Sequence, residues 1–214
     1  MAQNPIRVML VDDHAIVRSG FRRLLEQTAD IVVAAEAASG EEACQAFPGC
    51  RPEVTVMDLS MPGAGGLEAI RRILARDPQA RILVYSMHEA AAFATQAMRA
   101  GAYGYVTKAS APDVLVEAVK AVYAGRAYLS PDMAQKIALE SVGGERDPMQ
   151  LLSAREFEVF RLLAEGRSTE EIAERLFLSH KTVANYATQV KQKLGVSTPV
   201  ELLRLALKHR IVSQ

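Results

Sequence analysis

Cysteine is scarce in this 214-residue chain. The two present, Cys44 and Cys50, are too few for a disulfide framework and lack the spacing and companion histidines of a zinc site. A reduced, cytoplasmic setting is therefore expected. Nowhere do about 18 apolar residues follow one another without a charge, so neither a membrane span nor a signal peptide is expected. No segment repeats another, and neither sign of charge dominates, with 25 basic against 25 acidic residues. Half the residues are hydrophobic and 23% are charged, which is globular composition and argues against disorder. The length suits two domains better than one.

The overall neutrality hides a gradient. Residues 1–124 carry a net charge of −2, residues 125–150 of −1 and residues 151–214 of +3. Within the last segment, residues 175–214 hold seven basic side chains against the single Glu201. A basic stripe of this kind is the electrostatic footprint of a nucleic-acid binder, although a solvated helix face produces the same pattern more often.

Short apolar runs alternate with helical patterns over residues 1–124. Strands are predicted at Ile6–Val11, Ile31–Ala35, Val54–Met57, Ile82–Tyr85 and Gly104–Thr107. Between them, sets such as Val17, Phe21, Leu24 and Leu25 recur at helical spacing. Continuous apolar strands separated by helices predict an α/β fold, a doubly wound parallel sheet covered on both faces. After Gly125 a short helical stretch and then the cluster from Gly143 to Pro148 predict a linker over 125–148. From Leu151 onward there is no strand signal. Ser153 with Glu156, Ser168 with Glu171 and Thr198 with Glu201 each fit a capping box, predicting a compact all-α domain of four helices over 149–214.

Ligands of an open α/β sheet bind beyond the carboxyl ends of its strands. The first strand runs into Asp12 and Asp13, the third into Asp58, the fourth into Ser86 and the fifth into Lys108. Three carboxylates gathered on one edge repel one another unless some are protonated or a cation neutralises them. Hard oxygen ligands with room for water suit Mg²⁺ best. Asp58 could then act as a nucleophile toward a phosphoryl group, with Lys108 and the Ser86 hydroxyl positioned to contact the added oxyanion.

These residues, read as Val11-Asp-Asp-His14, Asp58-Leu-Ser-Met-Pro62, Ser86 and Gly104-Tyr-Val-Thr-Lys108, resemble the receiver signature of two-component response regulators. The resemblance covers residues 5–124 and implies a flavodoxin-like, five-stranded sheet of order 2-1-3-4-5. It assigns Asp58 as phosphoacceptor, Asp13 as a metal ligand, Asp12 as a metal-site acid acting through water, and the Ser60 backbone carbonyl as the remaining protein ligand. It pairs Ser86 with Tyr105 as a switch whose ring turns inward when the hydroxyl moves toward the phosphoryl group. Ser60 and His88 stand at positions that influence the phosphoryl lifetime in that family. Two departures are visible: Lys108 is followed by Ala109 rather than proline, and Gly65 stands where Asp or Asn usually precedes Gly66, which weakens the expected helix cap.

In the C-terminal part, Ser168 to Leu176 reads as a short helix, Phe177 to Ser179 as a turn, and His180 to Leu194 as a second helix. The second helix directs Val183, Ala187, Val190 and Leu194 inward and presents Lys181, Ala184, Asn185, Thr188 and Lys191 on a face without acids. That matches a helix-turn-helix with its second helix in the major groove of double-stranded DNA. Residues 152–207 resemble the LuxR-type DNA-binding domain through Glu171-Ile-Ala173, Leu178-Ser179, Lys181-Thr-Val183 and Lys193-Leu-Gly195. The two domains together resemble the NarL/FixJ subfamily of response regulators. By that likeness Ala184, Asn185 and Thr188 face bases, while Lys181, Thr182, Lys191 and Lys193 lie near the phosphate backbone; Tyr186 is left between packing and a phosphate contact.

The implied function is transcription regulation rather than enzymatic turnover. Asp58 takes a phosphoryl group from a cognate histidine kinase with Mg²⁺, and the switch alters either masking of the recognition helix or formation of a homodimer. The surplus of apolar residues in the last helix, from Val200 to Leu207, suggests a dimer contact or packing against the receiver. The helix over Glu89–Ala100 is alanine-rich with a thin apolar face, which suits a mobile signalling element. Alternatives are a degenerate receiver that never becomes phosphorylated, an acid-metal phosphatase, which needs a second Asp where Ser60 stands, and a small-ligand-sensing LuxR regulator, which lacks the acidic group.

Overall fold

A computed structural model describes residues 4–63, 65–142 and 147–212. Strands β1 (Ile6–Val11), β2 (Ile31–Ala37), β3 (Val54–Met57), β4 (Ile82–Ser86) and β5 (Gly104–Thr107) alternate with helices α1 (Ala15–Leu25), α2 (Gly40–Cys50), α3 (Gly65–Arg76), α4 (Ala91–Arg99) and α5 (Pro112–Tyr123). All strand pairings are parallel. The sheet has six strands in the order β2-β1-β3-β4-β5-β6 rather than the five expected. The sixth, β6 (Tyr128–Leu129), lies in the stretch read as linker and pairs with Gly104 and Tyr105. Two residues are too short a run to show a strand period.

Helix α6 (Pro131–Val142) continues from β6 and returns over the sheet, with Met133 fully buried in the core that includes Tyr105 and Phe93. Residues 125–142 therefore pack as part of the first domain and do not hang free. The glycine-rich boundary expected at 143–146 lies outside the described residues. One face of the sheet packs Leu25, Leu115, Val119 and Val122 of α1 and α5 against Val8, Leu10 and Val56. The other face packs α2, α3 and α4 against Met9, Met57 and Val84.

A 3₁₀ turn (Pro148–Leu151) leads into α7 (Ala154–Ala164), α8 (Thr169–Leu176), α9 (His180–Leu194) and α10 (Pro199–Lys208). All three predicted capping boxes form, at Ser153, Ser168 and Thr198. Each satisfies two orphaned N–H groups reciprocally and fixes where its helix starts. The α8–α9 pair encloses Val159, Leu162, Ile172, Leu176 and Val183, and Tyr186 packs against this cluster, so its ring serves packing.

The two domains are docked. Phe93 of α4 meets Phe157 of α7 edge-on at 5.0 Å, and Gln96 donates from Nε2 to the carbonyls of Met149 at 2.5 Å and Leu152 at 3.3 Å. The thin apolar face expected of α4 is thereby corrected: Ala91, Ala92, Phe93, Ala94, Gln96 and Ala97 are all buried, because α6 and the second domain cover the side that faces away from the sheet.

Candidate functional site

The acidic residues sit where β1 and β3 end. Val11 and Met57 are in register across the two strands, and the Asp58 N–H donates to the Val11 carbonyl at 2.9 Å, which places Asp12 and Asp58 side by side. Lys108 enters from the end of β5, its own N–H donating to the Ser86 carbonyl at 2.7 Å. Its ammonium lies 2.5 Å from Asp12 Oδ2 and 2.8 Å from Asp58 Oδ2. Burial alone would lower the Lys108 pKa, but Asp58 and then Asp12 outweigh it and hold it above its ordinary value. Asp58 Oδ1 accepts from the N–H groups of Leu59 at 2.7 Å and Ser60 at 3.3 Å, which fixes the carboxylate plane. Gly66 backs this turn so closely that a Cβ there would overlap the Asp58 carbonyl oxygen.

Asp12 accepts from the His14 N–H at 2.8 Å, and ligand atoms of Asp12, Asp13 and His14 lie within 4.8 Å of one another, close enough to hold a metal ion together. Asp13 Oδ1 is shielded from solvent without a well-aligned donor; His14 Nδ1 is 2.9 Å away but outside hydrogen-bond geometry. An orphaned carboxylate oxygen among further carboxylates fits a hard cation. His14 was absent from the sequence-derived set, because a side chain 67% exposed at a helix start carries no pattern of its own. Asp58 is turned instead toward Lys108.

Ser86 is fully buried, and its Oγ accepts from the His88 N–H at 3.4 Å. Tyr105 is also fully buried, with its hydroxyl donating to the His88 carbonyl at 2.8 Å; burial pushes the phenol pKa well up. Its ring thus already occupies the inward orientation. His88 accordingly receives attention from four sides: Tyr105 and Ser86 hold its backbone, its ring stacks on Phe93 at 3.8 Å, and Nε2 lies 3.0 Å from Ser60 Oγ. Desolvation, helped by Arg161 and Lys108, lowers its pKa to about 4, so the ring is neutral at physiological pH.

On the second domain, α9 buries Val183 and Val190 and leaves Lys181, Ala184, Asn185 and Thr188 exposed, with Thr182 and Lys191 half-buried. Its first turn has no acid, and Ser179 caps it by accepting from the Thr182 N–H. Thr188 spends its hydroxyl proton on the Ala184 carbonyl at 3.0 Å, leaving lone pairs and a methyl group outward. Lys193 departs from the set: its ammonium is 2.6 Å from Glu156 Oε2.

An acidic pocket at the carboxyl edge of a doubly wound sheet, joined to an exposed helix-turn-helix, defines a two-domain signalling regulator. Comparison with known proteins agrees domain by domain. Residues 8–120 match the response regulator receiver domain, and residues 150–206 match the LuxR family of bacterial regulatory proteins. The response regulator UvrY of Escherichia coli K12 is 40% identical over 206 residues, 95% of this chain and 94% of that protein. Response regulator GacA of Pseudomonas aeruginosa is 37% identical over 97% of this chain and 98% of its own length. Among solved structures, RcsB of Salmonella enterica, bound to the rprA promoter in the presence of the phosphomimetic BeF₃⁻, is 31% identical, covers 94% of this chain and 98% of its own, and superposes with a TM-score of 0.73. The chain belongs to the NarL/FixJ-type response regulators, with a receiver and a LuxR-type DNA-binding domain. That membership decides against the phosphatase alternative.

Proposed function

We propose that this protein regulates transcription by accepting a phosphoryl group on Asp58 and changing how its C-terminal domain engages DNA. The observation that carries the reading is the Lys108 ammonium held between Asp12 and Asp58 at the strand ends, in a chain whose α9 offers an acid-free face to solvent. Asp12, Asp13, Asp58 and the Ser60 carbonyl would hold Mg²⁺, which supplies positive charge to the phosphoryl oxygens when bound. The Asp58 carboxylate attacks phosphorus of a phosphohistidine on a cognate histidine kinase, or of a small phosphodonor. An O–P bond forms as the P–N bond of the phosphohistidine breaks and the imidazole leaves with the electron pair and takes up a proton; with acetyl phosphate the bond broken is P–O and acetate leaves with the pair. Lys108 then moves its charge from the free carboxylate to the phosphoryl oxygens, and the Ser86 hydroxyl donates to one of them.

Residues 1–142 form the receiver in this reading, and residues 149–214 the DNA-binding domain. Ala184, Asn185 and Thr188 read base edges, with Asn185 suited to adenine, while Lys181, Thr182 and Lys191 hold phosphates. Lys193 joins them only by leaving Glu156. Val200 and Leu203 of α10, 58% and 41% exposed, offer an apolar face to a second copy, and RcsB is described as binding DNA as dimers. Among the described residues no helix is long and apolar enough to cross a membrane, which suits action in the cytoplasm.

The test incubates the full chain with acetyl phosphate and Mg²⁺ and measures acyl-phosphate formation and affinity for promoter fragments. Wild type is expected to form a base-labile acyl phosphate and to change its affinity. Asp58→Ala should do neither. Equal incorporation in both proteins refutes the assignment.

A further inference from the structure

The segment between β1 and α1 carries Asp12 and Asp13 to the phosphoacceptor, and an arginine behind it holds that segment in place. Asp12 is anchored through its backbone at both ends: its N–H donates to the Ala37 carbonyl at the end of β2 at 3.1 Å, and its carbonyl accepts from Arg18 Nη1 of α1 at 2.5 Å. The Arg18 side chain is only 15% exposed, and its Nε donates to Glu36 Oε2 of β2 at 3.3 Å. Glu36 is shared, with its Oε1 2.7 Å from Arg22 Nε one turn further along α1. A register shift in β2 brings this about. Val8 pairs with Val33 but Met9 with Ala35, so the strand slips past Ala34 and Glu36 falls opposite Leu10. Leu10 and Val33 belong to the face that α1 covers, and strict alternation from Val33 would have turned Glu36 to the other face. Bulges beside functional sites re-aim side chains in this way.

We propose that Arg18, aimed by Glu36, is a positioning residue of the phosphorylation site, fixing the Asp12–Asp13 segment so that both carboxylates meet Mg²⁺. The assignment rests on the reading of these acids as metal-site residues. Arg18 and Asp58 line one internal void of about 10 Å³ together with Asp12 and Tyr85. That is about the least space that holds one water molecule and too little for a phosphoryl group, so Arg18 acts through Asp12 and not on the transferring group. Charge and geometry oppose each other here. A guanidinium beside a cation site repels Mg²⁺, and Glu36 offsets that charge while orienting the planar fork. Deleting the arginine therefore tightens Mg²⁺ binding if its charge is what matters, and loosens it if its grip on Asp12 is.

The test titrates Mg²⁺ alone into the full chain by calorimetry, comparing wild type with Arg18→Met and Glu36→Asp. Methionine keeps much of the arginine stem without its donors; aspartate keeps the charge of Glu36 but is too short to hold both arginines. Arg18→Met should bind Mg²⁺ about tenfold more weakly, and Glu36→Asp about threefold, as losing a partner that orients a metal ligand lowers affinity. Affinity in Arg18→Met equal to or tighter than that of wild type overturns the assignment even if its melting temperature falls, because a residue that merely staples α1 to β2 changes stability and leaves the Kd alone. If circular dichroism shows Arg18→Met to be unfolded, Glu36→Asp decides, and an unchanged Kd there overturns the assignment. With acetyl phosphate, the Mg²⁺ concentration giving half-maximal phosphorylation should rise about tenfold in Arg18→Met, while the rate at saturating Mg²⁺ stays that of wild type. A rate that remains low at saturation also overturns the assignment, since it places Arg18 in the chemistry. Wild-type protein that takes up no Mg²⁺ refutes the metal reading itself, an outcome distinct from variants that match a metal-binding wild type.

Discussion

Replacing Lys108 by methionine keeps most of the side chain's bulk and removes its charge. The ammonium, Asp12 and Asp58 have side chains only 9%, 5% and 3% exposed, so the pair of carboxylates has little water to replace the lost cation. They must either remain ionised without a counter-charge or take up a proton. Removing one partner of a buried ion pair costs about 3–5 kcal/mol. The cluster is open toward His14 on one side, which admits some solvent, so about 2–3 kcal/mol is the expected loss. For a domain of this size that corresponds to a fall in melting temperature of roughly 5–10 °C. Magnesium should reverse much of it, since a cation at a hundredfold excess over its Kd contributes about 2.7 kcal/mol. The pH dependence is set by the lysine. Its folded pKa is raised, so its stabilisation is complete below the unfolded value of about 10.4 and is lost as pH rises through the folded one. Wild type should therefore lose stability relative to the variant above about pH 10. Thermal unfolding followed by far-UV circular dichroism, with and without Mg²⁺, measures all three effects. A variant that melts with wild type at neutral pH in the absence of metal would show that the Lys108 contacts carry no net stabilisation.

Three further outcomes are expected. Ser168→Ala removes the α8 capping box and should destabilise the second domain by about 1 kcal/mol, measured as a shift in its urea midpoint with unchanged slope. Lys181→Ala should weaken binding to all DNA sequences alike and reduce the salt slope by about one unit, whereas Asn185→Ala should leave the slope and lose about 1–3 kcal/mol of discrimination at one position; fluorescence anisotropy across salt concentrations separates them. Domain closure should weaken with rising pH. Glu158 faces Arg155 and Arg161 from its own helix and Glu68 from α3, and its pKa of about 7 when closed exceeds the value near 4.3 of a free glutamate. A raised carboxyl pKa favours the closed form at low pH, an advantage lost between about pH 4.3 and 7. Glu158→Gln should flatten that dependence in X-ray scattering, and an unchanged pH profile in this variant refutes the role of the carboxyl.

The convergence of Asp12, Asp58 and Lys108 was legible because parallel strands report their own ends: an apolar run that stops at a charge locates the carboxyl edge without any tertiary information. Capping boxes were legible for a similar reason, since donor and acceptor lie three residues apart. The features that escaped depend on pairs far apart in the chain. β6 is two residues of ordinary composition that become a strand only because β5 has a free edge. The alanine-rich face of α4 reads as weakly apolar until α6 and α7 cover it. Gly65 reads as a weak cap, whereas a side chain there would overlap Glu158, 93 positions later.

The exposure of α9 bears on a choice that the sequence left open. Lys181, Ala184, Asn185 and Thr188 are exposed although α7 and the turn before α9 are docked on the receiver. Docking in this arrangement therefore leaves the acid-free face of α9 uncovered. What it fixes is the orientation of that face relative to the receiver, together with the position of Phe177 at the turn. A regulator that binds two half-sites needs two such faces about 34–36 Å apart along the duplex, so fixing one face at an unsuitable angle is enough to prevent a dimer from engaging both. Restraint of geometry, rather than occlusion of the recognition helix, is the form of control that these contacts support.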